Sequence, residues 1–253
     1  MRQRVRTIVL DETGSTNREA MARAAAGESG PLWIMARRQT AGRGRSGRSW
    51  ASEPGNLYAT LLVRLACPPA AIAQLSLVAG VATYDAIAEA AAGRAPAGLR
   101  LKWPNDVLIG NAKCAGILAE SIIGSDAATL AIGVGINLSW HPDNLGREAT
   151  HLALHGVATT PDAMLEDLSR TMQERLAEWG NGVGFASLRQ AWLERGGQLG
   201  EPCAVDTGTE RIAGAFAGLD ESGALLIKDG AGRQRIVTFG DVSLLPVDAE
   251  GKS

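Results

Sequence analysis

Cysteine is scarce in this 253-residue chain: Cys67, Cys114 and Cys203 are odd in number, far apart and in no CxxC spacing. That pattern excludes a disulfide framework and a cysteine zinc site. Histidine is equally rare. His151 and His155 stand four residues apart, but with no acidic residue between them they read as an ordinary surface or core segment, not as the metal pair of a metalloprotease. Long apolar runs are missing too. Nothing approaches the roughly 18 consecutive apolar residues of a membrane span. The first run, Ile8-Val9-Leu10, ends at Asp11 and is too short for a signal peptide. The expectation is a soluble, cytoplasmic protein with no membrane contact.

A strong charge bias is absent as well. The net charge is -2, whereas a general nucleic-acid binder carries a raised positive charge, so no DNA partner is expected and the ligand should be small. With 45% hydrophobic and 21% charged residues the composition is that of a globular protein able to bury a core. The length suits one large domain, or a medium domain with a small companion.

One local absence organises the rest. No acidic residue lies between Glu28 and Glu53, while Arg37, Arg38, Arg43, Arg45 and Arg48 place five positive charges within twelve positions. Such a segment repels itself unless an anion sits in it. Gly42, Gly44 and Gly47 strip away side chains and open the backbone N–H groups to a ligand, and the arginines supply forked donors for phosphate or carboxylate oxygens. The plain alternative is a solvated, merely flexible basic loop. The glycines also match G-x-G-x-x-G, but a dinucleotide site needs a helix next, and Ser49-Trp50-Ala51-Ser52-Glu53-Pro54-Gly55 has no helical period. No P-loop sequence occurs.

Residues 5–10 predict a first strand, and Thr16-Asn17-Arg18-Glu19 has the form of a capping box opening an alanine-rich helix that stops near Gly27. Ser15, Thr16 and Asn17 then sit at a strand-to-helix corner whose free N–H groups suit an acyl or urea-like ligand, although capping alone would explain Thr16. Strands are expected over 32–37 and 57–65, a core helix from Pro68-Pro69 to Gly93, and consecutive strands over 99–103, 107–109, 113–123 and 127–138. In the last of these Ile132, Val134 and Ile136 share one face; Gly133, Gly135 and Asn137 share the other. Two glycines on one face suit a flat ligand or a closely packed helix. Helices follow from Pro161, with Thr160 as cap, to Trp179 and over 185–192. Short strands over 203–205, 211–216, 224–228 and 233–239 then form a small barrel-like unit of about fifty residues that needs a neighbour for stability.

A second constellation is Lys102-Trp103-Pro104-Asn105-Asp106, followed by Lys113-Cys114-Ala115-Gly116-Ile117-Leu118-Ala119-Glu120. A lone lysine in a strand is usually a solvated face residue. Taken with Ser15-Thr16-Asn17, with Gln39 and Gly42-Arg43-Gly44-Arg45-x-Gly47-Arg48-x-Trp50, and with Gly133-x-Gly135-Ile136-Asn137, the set resembles the biotin protein ligase family in order and spacing, over essentially the whole chain.

The resemblance implies an α+β fold: a central mixed sheet flanked by helices, related to class II aminoacyl-tRNA synthetases, plus a C-terminal SH3-like β-barrel. Domains are expected at 1–198 (catalytic) and 199–253. It implies two steps: biotin attacks the α-phosphate of MgATP to give biotinoyl-5'-AMP, then a lysine of a biotin carboxyl carrier domain takes the biotinoyl group. Carried onto this chain, Ser15, Thr16, Asn17, Gln39, Arg43, Gly44, Arg45, Lys113 and Gly116 meet biotin. Arg43, Arg45, Arg48, Trp50, Lys102, Asn105, Lys113 and Asn137 meet the nucleotide, Trp50 packing near the adenine. Lys113, Arg45 and Asp106 are the expected catalytic residues, with Asp106 orienting the carrier lysine or helping to hold Mg2+; no metal ligand set is assigned. Members with an operator-binding role carry a helix-turn-helix ahead of this corner, for which residues 1–14 leave no room. Oligomeric state stays open, a homodimer included. The same fold also serves lipoate and octanoate ligases or transferases, and a nucleotide- or nucleic-acid-binding module using Trp50 is the non-enzymatic alternative.

Overall fold

The computed structural model describes residues 4–143 and 148–245. Strand β1 (Arg6–Thr13) leads through helix α1 (Thr16–Ala25) into β2 (Leu32–Gln39), which pairs with it in parallel. The chain then passes through the arginine loop into β3 (Leu57–Leu65), and through a 3-10 turn into α2 (Leu75–Ala90). Four strands follow: β4 (Leu99–Lys102), β5 (Asp106–Ile109), β6 (Ala112–Ile123) and β7 (Ala128–Ile136). They complete a seven-stranded mixed sheet in the order β1-β2-β3-β7-β6-β5-β4. Placing β7 beside β3 is what brings the arginine loop over the glycines of β6 and β7.

Alternation along β3 separates the two faces of this sheet. Leu57, Ala59, Leu61 and Val63 join the main core with Leu75, Val78, Val81 and Ile87 of α2 and with Leu168 and Met172 of α3 (Pro161–Trp179). Each large aliphatic side chain buried there stabilises the fold by about 1.5–3 kcal/mol. Leu62, Ile34, Leu32 and Ala131 form a smaller cluster under Ala20 of α1 on the other face. That thinner cover leaves the functional cleft beside α1. The helical stretch Pro69–Ala90 has mean hydropathy 1.4 and the length to cross a membrane, but 67% of the apolar window is buried inside the protein, so it is read as a core helix.

Helix α3 begins as its sequence predicts, Thr160 Oγ1 accepting from Ala163 N at 3.2 Å. The capping box at Thr16 does not form. Ser15 is the N-cap and makes no side-chain cap bond, and the Thr16 hydroxyl is directed to Gln39.

After α4 (Phe185–Arg195), strands β8 (Pro202–Asp206), β9 (Arg211–Leu219), β10 (Leu225–Asp229), β11 (Gln234–Val237) and β12 (Asp241–Leu244) form an antiparallel sheet in the order β11-β10-β9-β8-β12. The sequence pattern missed β12, whose alternation of Asp241, Val242, Ser243 and Leu244 is only four residues long. This small sheet leans on the first: Trp103 Nε1 donates to Gly223 O, Arg100 pairs with Glu201, and Trp192 of α4 packs on Phe216.

Candidate active site

Two rows of residues run across the central sheet under the arginine loop. One is Ile34, Thr60, Gly133, Leu118; the next is Tyr58, Gly135, Gly116, Asp106. The missing side chains make a trough, and different things fill it. A Cβ on Gly133 would collide with Asn17 Oδ1, so that glycine admits helix α1; a Cβ on Gly135 would lie 2.6 Å from the Trp50 ring. The packed-helix reason therefore holds at Gly133, while at Gly135 it is the Trp50 side chain that fills the space.

Over the trough lies a cleft of about 660 Å³ lined by Ser15, Thr16, Asn17, Gln39, Arg43, Gly44, Arg45, Arg48, Trp50, Asn105, Asp106, Lys113 and Gly116, among others. Thirteen residues expected from the sequence thus meet in one place. Lys102 does not line it but stands 3.2 Å from Asp106. Asn137 lies beyond Trp50, in an adjoining pocket of about 330 Å³ with Ala51, Lys113 and Ala149.

The two ends of the cleft differ in chemistry. At the α1 end the polar atoms are tied to one another: Gln39 Oε1 accepts from Thr16 N at 2.8 Å and from Thr16 Oγ1 at 3.1 Å, and Gln39 Nε2 donates to Ser52. Asn17 Nδ2 donates to Leu118 O and to Glu120 Oε2. At the other end the charges gather. The loop is a closed hairpin, Gly44 N donating to Arg48 O and Trp50 N to Gly42 O, and it reverses through Gly47 at φ 73°, a conformation glycine adopts without strain.

The expectation that the arginines go unpaired without an anionic ligand is corrected here. Arg37 pairs with Asp162, Arg38 with Glu12 and Glu53, Arg43 with Glu120, and Arg48 with Asp241. Arg45 donates to Gly240 O and to Asn105, lies 3.9 Å from Asp241 and stacks over Phe239. These partners are remote in sequence, so no local count of charges reveals them. Around the cleft five cations (Arg43, Arg45, Arg48, Lys102, Lys113) face three carboxylates (Glu120, Asp106, Asp241). The surplus is positive, and a site so composed attracts a polyanion.

Asp106 is buried between Lys113 and Lys102. Burial pushes its carboxyl up, but the two ammonium groups outweigh that and hold it below the usual carboxylate range. Burial likewise lowers the Arg45 guanidinium, partly offset by Asp241 and Asp106. Trp50 is sandwiched between the glycine floor and the Lys113 ammonium, 5.3 Å from its ring. Its Nε1 is buried and has no hydrogen-bond partner among the described residues.

Residues 12–137 match the model of the biotin/lipoate A/B protein ligase family, and residues 199–245 that of the biotin protein ligase C-terminal domain. The chain is 43% identical, over 90% of its length and 96% of the relative's, to a biotin--[acetyl-CoA-carboxylase] ligase of Paracoccus denitrificans. It belongs to the biotin protein ligase family. A second family member, the biotin--[acetyl-CoA-carboxylase] ligase of Mycobacterium tuberculosis, is 36% identical over 92% of this chain and 87% of its own. The Aquifex aeolicus biotin protein ligase solved in complex with biotin and ATP superposes with a TM-score of 0.79, at 28% identity, covering 95% of this chain and 99% of that one.

Within this family frame, sequence reasoning missed Thr60, Glu120 as the partner of Arg43 and Asn17, and the Gly240-Asp241 corner that holds the loop. Glu120 had a signal, its place in the Lys113-to-Glu120 motif. Thr60 and Asp241 had none: one hides in an apolar strand, the other lies 193 residues from its partner Arg48.

Proposed function

We propose that this chain is an ATP-dependent ligase that converts biotin to biotinoyl-5'-AMP and transfers the biotinoyl group to a lysine of a biotin carboxyl carrier domain. The observation that carries the proposal is the pairing of two unlike ends in one cleft. Ser15, Thr16 and Gln39 offer a hydrogen-bonding end for the ureido head, and Arg43, Arg45, Arg48 and Lys113 a cationic end for carboxylate and phosphates. A lipoyl or octanoyl group has no ureido head to exchange hydrogen bonds with these side chains, so a biotin head suits this polar end better.

In the first step a biotin carboxylate oxygen forms a bond to the α-phosphorus and the bond to pyrophosphate breaks. Two anions approach, so the guanidinium and ammonium groups gathered here act on charge that concentrates in the transition state. Magnesium enters with the nucleotide. The ion would be held mainly by phosphate oxygens, in keeping with its habit of using one or two carboxylates and keeping waters. Asp106 is the carboxylate at hand. In the second step the neutral carrier amine attacks the acyl carbonyl and AMP leaves. With its acidity raised by two lysines, Asp106 is a weak base at neutral pH, and it serves by orienting the amine through a hydrogen bond.

Trp50 and Asn137 flank the smaller pocket, where a flat adenine would stack. We place the domain boundary at 198/199, with residues 199–253 closing the nucleotide side through Gly240 and Asp241. Dependence on ATP and on a carboxylase acceptor suits a cytoplasmic site of action. Mass spectrometry of a carrier domain incubated with the protein, biotin and MgATP tests the proposal. One added biotinoyl mass is expected; addition of a lipoyl or octanoyl group in its place, or none, would refute it.

A further inference from the structure

We propose that Thr60, which does not line the cleft, is the positioning residue that holds the biotin-head end of the site in its binding geometry. This rests on the ligase reading above and deepens it. Thr60 is fully buried at the centre of β3, between Ile34 of β2 and Gly133 of β7. Its flanking core-facing neighbours on the strand are Ala59 and Leu61, and a valine would have the same shape. The hydroxyl must therefore be explained by what it bonds.

Its single proton donates to Asn17 Oδ1 at 2.7 Å, and the same oxygen lies 2.8 Å from Thr16 Oγ1. Counting donors shows why that matters. Both hydrogens of the Asn17 amide are engaged, by Leu118 O and Glu120 Oε2, so Asn17 acts as a peg joining α1 to β6. Its carbonyl oxygen points into the space vacated by the side chain of Gly133, where Thr60 is its hydrogen-bond donor. Thr60 thus fixes which way round the Asn17 amide sits, and its oxygen stands against the Thr16 hydroxyl, whose one proton is shared between Thr60 and Gln39 as alternative acceptors. The helix start that carries Ser15, Thr16 and Asn17 is pinned to the sheet from below by one hydroxyl. A buried acceptor deprived of its donor is disfavoured, so loss of that hydroxyl drives the corner to rearrange at the surface biotin must meet.

Biotin-dependent exchange of pyrophosphate into ATP separates this role from general structure. Thr60→Val should raise the KM for biotin about tenfold, the effect of one buried hydrogen bond, with the KM for ATP and kcat changed by less than about threefold. Thr60→Ser, which keeps the hydroxyl, should restore a biotin KM near wild type. Thr60→Ala serves in place of valine if the latter does not fold, and the comparison with serine remains the deciding one. A valine or alanine variant with wild-type biotin KM, or a serine variant as impaired as they are, would overturn the proposal. Absence of biotin-dependent exchange in the wild-type protein would instead refute the ligase reading.

Discussion

The Trp50 indole lies directly against Gly135, with Cε2 at 2.6 Å and Nε1 at 2.7 Å from where a Cβ on that residue would stand. A loop side chain and a strand glycine thus occupy one volume between them, and the buried, unpartnered Nε1 marks the place as one where a ligand acceptor would be welcome. Gly135→Ala should push Trp50 out of its seat. Overpacking of this kind costs about 1–3 kcal/mol in a rigid core, but Trp50 stands on a loop and can move. The expected result is a KM for ATP raised tenfold or more with little loss in Tm. An unchanged KM for ATP would show that Trp50 has no part in nucleotide binding.

Asp241 stands where a phosphate would be attractive, on Arg48 and near Arg45. Removing its charge should release the loop in the ligand-free protein. Asp241→Asn is expected to speed tryptic cleavage after Arg45 and Arg48 severalfold, with protection restored by biotin and MgATP together. Cleavage at the wild-type rate would mean that the backbone hairpin alone holds the loop closed.

Lys113 donates to Asp106 and covers Trp50, so it stands between the glycine trough and the carboxylate. Lys113→Ala should slow biotinoyl-AMP formation by ~10²–10³, the scale of losing one preorganised oxyanion donor. Transfer from preformed biotinoyl-AMP, measured separately by quenched-flow, should suffer much less. Normal adenylation with transfer abolished would move the role to Asp106.

Acid stability follows from the same pair. The folded pKa of Asp106 is held below its unfolded value, so its ion pairs stabilise the fold above the unfolded carboxylate pKa of about 3.9 and that contribution disappears as pH falls through the folded value. In the wild-type protein the associated fall in Tm should appear only below roughly pH 4. In Lys113→Ala the nearer of the two ammonium groups is gone and burial counts for more, so the folded carboxyl moves up toward or past its unfolded value and the fall in Tm below pH 4 should shrink or reverse. Thermal melts across that range check it; coincident pH profiles would remove Lys113 as the cause.

Much of this molecule is legible in local pattern. The helix from Pro161 with its Thr160 cap, the alternation of Ile132, Val134 and Ile136 against Gly133, Gly135 and Asn137, and the arginine-glycine hairpin all depend on neighbours a few residues apart, which is the range over which propensity, capping and period act. The same range explains the failures. Thr16-Asn17-Arg18-Glu19 has the form of a cap, yet Gln39 and Thr60, brought in by β2 and β3, take the Thr16 hydroxyl and the Asn17 amide for the cleft. Which carboxylate neutralises which arginine is decided by strand order and by the docking of the second sheet, because an ion pair depends on distance in space and is blind to the 77 or 193 residues of chain that separate Glu120 from Arg43 and Asp241 from Arg48. The sequence alone determined most of the elements, the family and thirteen of the residues that line the cleft. Only the tertiary structure decided which hydroxyl, amide and carboxylate hold them there.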